Sequence, residues 1–319
     1  MENQAISPKI LEQLGKLEQK FQIMGQDMSS YLDGLLYANY LTYWDYIHLD
    51  TLLSLQNPKT PFGDEKIFIV YHQITELYFN LVLHEMEQIA SQSHIEEEWF
   101  WRRLRRMNRY MAHLVGSFDI MVGGMEQEQF LKFRMSLLPA SGFQSVQYRL
   151  IEIGATDLHN LVANQYRQEL PADSTIEEMF DKIYWKYGAT ELATGQKTLT
   201  LVQFEQKYAQ RCVQHANEYR HKNLWQVFER NFKDSQRISE ALRQFDALVN
   251  VDWPLSHLGS AIRYLQKDPQ VISATGGTNW QNYLPPKFQK RIFFPEIWSE
   301  TEKEEWGRQW VTRKLQEHL

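Results

Sequence analysis

Asp64-Glu-Lys-Ile-Phe-Ile-Val-Tyr-His-Gln-Ile-Thr-Glu-Leu-Tyr-Phe-Asn-Leu-Val-Leu-His-Glu85 decides the fold of this chain. It is free of glycine and proline and apolar enough to lie inside a protein, so it predicts a long buried helix. His72 and Glu76 stand one turn apart on it and share a face. Burying such groups costs several kcal/mol in order of magnitude unless something pairs with them. Flanked by Phe68 and Tyr71, the pair fits an aromatic-lined active site. Taken alone, it fits better a core helix whose His72 bonds to Glu76 or to a backbone carbonyl.

Outward from this segment the same periodicity dominates. Alternating β-branched runs are scarce, and Gly 15 and Pro 10 are few for 319 residues, so the chain reads as all-α. One or two peripheral helices are expected over 8–36, and further helices over 45–56, 64–91, 96–122, 127–137, 144–153, 201–220 and 224–249. Asp252-Trp253-Pro254 offers an N-cap and an early-turn proline, and so predicts a helix start there, running to Lys267. Residues 155–200 hold Pro171, Gly188 and Gly195 and read as a small inserted helical subdomain. The main helical domain is expected over 37–300. The tail, 301–319, carries Trp306, Trp310 and Leu315 and predicts an amphipathic helix. Five arginines between Arg102 and Arg109, near Glu96, Glu97 and Glu98, read as a solvated face.

A net charge of −6 argues against nucleic acid as a partner. One cysteine, Cys212, excludes an intrachain disulfide, zinc fingers and iron–sulfur cages, and fits a reducing, cytoplasmic setting. The start, Met1-Glu-Asn-Gln-Ala-Ile-Ser-Pro8, lacks the pattern of a secretory signal. No run of about eighteen apolar residues predicts a membrane span. Aromatic residues make up 13%, which favours a large packed core or a flat aromatic ligand.

Three further constellations could carry chemistry. His257, Ser260 and Ala261 share a helix face beside Gly259. Small residues one turn after a histidine clear room for a flat group, and neutral imidazole suits haem iron. The competing reading is a partly exposed histidine near a helix start. Arg134 lies among Phe130, Phe133 and Leu137, where a planar guanidinium could grip a carboxylate in two places or pair internally with Glu76 or Glu152. Thr275-Gly-Gly-Thr278 could offer N–H groups and hydroxyls to an anion, but it lacks the strand and lysine of a phosphate loop. Glu218-x-x-His221 has di-iron spacing, yet no second copy of the motif exists.

Four blocks in order resemble the tryptophan 2,3-dioxygenase family of haem enzymes. They are Tyr43-x-x-Tyr46-x-x-Leu49-Asp50-x-Leu-Leu-Ser-x-Gln56; Asp64-Glu-x-x-Phe68-x-x-x-His72-Gln-x-x-Glu76-Leu; Phe130-Leu-x-Phe-Arg134-x-x-Leu-x-Pro-Ala-Ser-Gly-Phe-Gln-Ser145; and Trp253-x-x-x-His257 with Thr275-Gly-Gly277. Phe294-Pro-Glu-Ile-Trp298 adds a fifth, shorter match. The resemblance implies a helical bundle around a pocket for non-covalent haem b, with His257 as the axial iron ligand and Ser141 and Gly142 at the cofactor. It implies His72 on the distal side as acceptor for the indole N–H, Arg134 on the substrate carboxylate and Thr275 at the carboxylate or ammonium. Phe68 and Phe130 would line the indole slot, and Tyr43 and Tyr46 would reach a neighbouring subunit's site in a homotetramer. The implied reaction inserts O2 across the indole C2–C3 bond of L-tryptophan to give N-formylkynurenine, the entry to tryptophan catabolism by the kynurenine pathway. The chain departs from the family's pattern at Pro254 and at Thr278-Asn279-Trp280. Two alternatives therefore stay open: a haem-dependent monooxygenase of a modified indole substrate, and a non-catalytic helical protein that binds haem or tryptophan.

Overall fold

The computed structural model describes residues 6–38, 41–137, 144–171, 173–189, 196–265 and 290–307. Nearly all of these lie in helices. The one β pairing among the described residues is a single bridge between Val162 and Ile183. The chain divides into two compact units, Met1–Gln56 and Asn57–Leu319.

The first unit holds α1 (Pro8–Ile23), α2 (Met28–Tyr37), α3 (Tyr43–Tyr46) and α4 (Leu49–Leu53). Pro8 fits the first turn of α1, where its missing N–H is no loss. Asp27 caps α2 by accepting from the N–H groups of Ser29 and Ser30. The single helix expected over 45–56 is instead two short ones. His48 adopts a left-handed conformation, φ 52°, and breaks it. No described residue of this unit is buried.

The second unit is built on α5 (Asp64–Ser91), which contains the stretch that opened the sequence analysis. Tyr71, Thr75, Phe79, Val82, Met86 and Ile89 form its buried stripe at three- and four-residue steps. The start of α5 is tied down twice. Buried Glu65 accepts from the N–H groups of Lys59 and Thr60, both at 2.7 Å. Asp64 accepts from the N–H of Glu126 at 2.6 Å and donates its own N–H to the Gln129 side chain.

The pattern over 96–122 divides into α6 (Glu97–Ser117) and α7 (Asp119–Gly123). Phe118 occupies the joint, its ring drawn inward against Tyr71 and Trp253. The arginine face of α6 is not wholly solvated. Arg103 and Arg106 turn to buried Glu85 on α5, at 3.1 and 2.8 Å. After α8 (Gln127–Phe133) and a 3₁₀ turn (Arg134–Leu137), Ser145 caps α9 (Val146–Ala155).

Between α9 and the next long helix come a 3₁₀ turn (Leu158–Leu161), α10 (Asn164–Arg167), α11 (Ile176–Asp181) and α12 (Tyr184–Gly188). Ile176, Met179, Phe180, Ile183 and Trp185 of this region belong to the main core cluster. Then follow α13 (Leu199–Tyr219), α14 (Leu224–Asn231) and α15 (Gln236–Ala247). The helix expected over 224–249 is interrupted because Phe232 leaves the helical conformation to stack on Phe100, and Ser235 caps α15 afresh.

The expected helix start at Asp252 is also corrected. From α15 the chain continues without a break through a π-turn (Leu248–Asp252) into α16 (Trp253–Leu265). Asp252 is therefore inside a helical rod, not its cap. The last described elements are a 3₁₀ turn (Pro295–Ile297) and α17 (Glu300–Glu304), which opens on a Ser299/Glu302 capping box.

α5 packs on α6 and α9, α6 on α15, and α9 on α13, which gives a bundle around one large apolar core. Cys212 is fully buried in it, where desolvation pushes the thiol up to about 11. A second cluster, around Tyr71, Phe118, Met121, Met125, Phe133 and Tyr264, lies where α5, α7, α8 and α16 meet. Among the described residues no helix is long and apolar enough to cross a membrane.

Candidate active site

The second cluster gathers most of the residues singled out from sequence. Phe68 and His72 come from α5, one turn apart, with ring centroids at 4.1 Å. Phe130 and Arg134 come from α8 and the turn that ends it. Phe68 lies 6.3 Å from Phe130 and 5.8 Å from Phe133. The bonds of Asp64 to Glu126 and Gln129 hold the beginnings of α5 and α8 side by side and set this juxtaposition.

The His72 ring nitrogen Nδ1 lies 2.8 Å from the Phe68 carbonyl oxygen. A carbonyl only accepts, so Nδ1 carries the proton, and in the neutral ring Nε2 is left as an acceptor. Burial pulls the pKa of His72 down, against smaller upward pulls from the Phe68 carbonyl and from Glu76. The ring is thus neutral at pH 7. Of the two structural partners considered for His72, the backbone carbonyl is the one it bonds. Glu76 accepts instead from Gln147 at 2.8 Å.

His257 projects from the first turns of α16. Its side chain is exposed, yet the protein packed around it pushes its pKa down to about 4, with a smaller push from nearby His72. His72 and His257 border the same aromatic cluster. Phe118 and Tyr71 bridge them, with Phe118 5.8 Å from His257, 5.7 Å from Tyr71, and Tyr71 5.8 Å from His72. A Cβ placed on Gly259 would meet nothing within 4 Å, so the helix beside His257 is open, as the small residues there predict. Ser260 is buried. Tyr264 closes the end of the cluster. It packs on Phe130 with ring centroids 4.7 Å apart and donates its hydroxyl to the carbonyls of Val122 and Met125.

Arg134 is 4% exposed, and burial lowers its pKa. The two glutamates considered as its internal partners are engaged elsewhere. Glu76 holds Gln147, and Glu152 holds Arg149 and Arg291. Tyr43 and Tyr46 lie in the first unit, 71% and 74% exposed. Ser141, Gly142 and Thr275 lie outside the described residues. Sequence reasoning missed Phe118 and Tyr264 as walls of the site. A single aromatic at a helix joint carries no pattern that would reveal it. Glu218 and His221 are exposed, and among the described residues no group of three or more His, Cys, Asp or Glu is placed to hold a bare metal ion.

These features fit a haem and a zwitterionic aromatic ligand. Iron requires a neutral imidazole with its lone pair accessible, which His257 offers, and a flat macrocycle requires the open face at Gly259. An aromatic N–H requires an acceptor, which His72 Nε2 offers, and a carboxylate requires a sheltered cation, which Arg134 offers.

The comparison with known proteins identifies the family. Residues 35–252 match the family model described as tryptophan 2,3-dioxygenase, a match that ends five residues before His257. The chain is 29% identical to the tryptophan 2,3-dioxygenase of Polaromonas naphthalenivorans over 268 residues, covering 82% of this chain and 91% of that protein. It is 29% identical to the protein of the same name from Bacillus thuringiensis subsp. konkukian over 272 residues, 81% of this chain and 91% of that one. With the tryptophan 2,3-dioxygenase of a Ruegeria species, identity rises to 41% over 118 residues, 36% of this chain and 42% of that one. The chain belongs to the tryptophan 2,3-dioxygenase family and is an oxidoreductase.

Proposed function

We propose that this protein binds haem b through His257 and inserts both atoms of O2 across the C2–C3 bond of L-tryptophan, giving N-formylkynurenine. The observation that carries this reading is that His72 and His257, from two different helices, border one aromatic cluster through Tyr71 and Phe118. Bound haem supplies the activation of O2. The protein does the rest by binding and orientation. Phe68 and Phe130 form an apolar slot for the indole. His72 Nε2 accepts the indole N–H and fixes the ring's rotation in the slot. Arg134 takes the carboxylate, with Thr275 as a second contact to the carboxylate or ammonium, and Ser141 and Gly142 adjoin the haem. Trp253, Phe118 and Tyr71 keep water from the space between the two histidines.

Association into a homotetramer completes the reading, with Tyr43 and Tyr46 entering a neighbouring subunit's site. Their exposure, and the exposed Ile74, Leu77 and Leu81 along one side of α5, support burial against other copies. A cytoplasmic location accords with the reduced, buried Cys212.

The test is reconstitution with hemin, reduction, and addition of L-tryptophan and oxygen, with the product mass measured. A gain of two oxygen atoms is expected. A gain of one would establish monooxygenation, and an unchanged substrate would leave a binding protein. His257→Ala is expected to lose the Soret band of bound haem while keeping its helical circular dichroism.

A further inference from the structure

We propose that Tyr148 and Arg291 are positioning residues for His257, acting through the π-turn that joins α15 to α16. The proposal rests on the reading of His257 as the axial ligand. Phe245 and His257 are twelve residues apart. In unbroken α-helix they would stand about 120° apart around the axis; one extra residue in a π-turn reduces that to about 20°. The π-turn therefore brings His257 onto the face of Phe245 and Trp253, toward Phe118. Without it, the imidazole would point about a quarter-turn away from Phe118.

The π-turn leaves one backbone group stranded. The N–H of Trp253 donates to the Leu248 carbonyl, five residues back. The Val249 carbonyl thereby loses its α-helical donor. Its π-register donor would be residue 254, and that residue is proline, which has no N–H. Buried Val249 needs a donor from outside the rod. The Tyr148 hydroxyl supplies one at 3.0 Å, and Arg291 Nη2 supplies a second at 3.5 Å. Arg291 Nη2 also donates to the Tyr148 hydroxyl at 2.8 Å, and Arg291 Nε donates to the side chain of Asn250 within the turn. Glu152 holds Arg291 in place at 2.7 Å. The aim of the iron-binding imidazole thus depends on α9 and on the segment that carries Arg291.

The test is Tyr148→Phe, alone and with Pro254→Ala, read as hemin affinity and as the iron–histidine stretching band in the resonance Raman spectrum of the ferrous protein. Tyr148→Phe is expected to weaken hemin binding about tenfold, the equivalent of one buried hydrogen bond, and to shift the band. Pro254→Ala restores an N–H at the π-register position. In that background Tyr148→Phe is expected to change affinity by less than about threefold and to leave the band where it is. If Tyr148→Phe lowers only the melting temperature, with affinity and band unchanged, the positioning role is overturned. If Tyr148→Phe does not fold, the double variant is expected to fold; its failure to do so overturns the assignment equally. His257→Ala is the control for the underlying reading. Full haem binding by that variant sinks the ligand assignment itself, a result distinct from an insensitive Tyr148.

Discussion

Replacing Arg134 with alanine separates recognition of an amino acid from recognition of an indole ring. The guanidinium is 4% exposed, so solvent screens it little, and burial already lowers its pKa. A carboxylate docked on it gains two charge-assisted hydrogen bonds, each worth about 1.5–3 kcal/mol. With allowance for non-additivity, the loss on truncation is about 3–4 kcal/mol, or a 10²–10³-fold rise in the Kd of L-tryptophan. 3-Methylindole fills the same aromatic slot but carries no carboxylate, and its affinity is expected to change by less than about threefold. Arg134→Lys is expected to fall between, since a point charge cannot reproduce the planar fork. Spectral titration of the haem-loaded, oxygen-free protein with both ligands measures the contrast. Equal weakening of the two ligands, or of neither, refutes the carboxylate role.

His72→Ala is expected to weaken L-tryptophan about fivefold, one neutral hydrogen bond, and 1-methyltryptophan hardly at all; parallel losses would remove the N–H contact. His215 stacks on Tyr219 at 4.2 Å and donates Nε2–H to the Leu150 carbonyl, and burial pushes its pKa down to about 4. The folded value lies below the unfolded value of 6.5, so its stabilisation is complete above pH 6.5 and is lost as pH falls toward 4, by up to about 3 kcal/mol. Urea midpoints at pH 7 and 4.5 should fall more for the wild type than for His215→Gln, and equal falls contradict the assignment. Asp246→Ala strands the N–H groups of Phe293, Phe294, Asn250 and Trp298, all of which donate to that fully buried carboxylate. A loss of about 3–5 kcal/mol is expected in denaturant unfolding, and a loss under about 1 kcal/mol would show that the segment 290–298 is held by packing alone.

The long helix α5 was legible because its periodicity and its lack of breakers act within one segment. The burial of Arg134 and the open helix beside His257 were legible for a similar reason: a charge among apolar residues and small residues beside a histidine are local anomalies. What escaped was decided by distant partners. Asp252-Trp253-Pro254 has the composition of a helix start, yet the rod runs through it because Tyr148 and Arg291, far off in sequence, satisfy the carbonyl that the proline orphans. Phe232 breaks a periodic stretch to stack on Phe100, 132 residues earlier in the chain. The arginines of α6 looked solvated because nothing nearby in sequence announces that Glu85 turns its carboxylate toward them.

Cys212 has a consequence for the life of a protein that handles oxygen. Thiolates, not thiols, are attacked by peroxide and exchanged into mixed disulfides. With its sulfhydryl sealed among hydrocarbon and pushed up to about 11, the sole sulfur of this kind stays protonated at neutral pH and out of reach. Oxidants find no accessible sulfhydryl at Cys212, and a single cysteine engineered onto the surface would be a uniquely addressable point for a spectroscopic label.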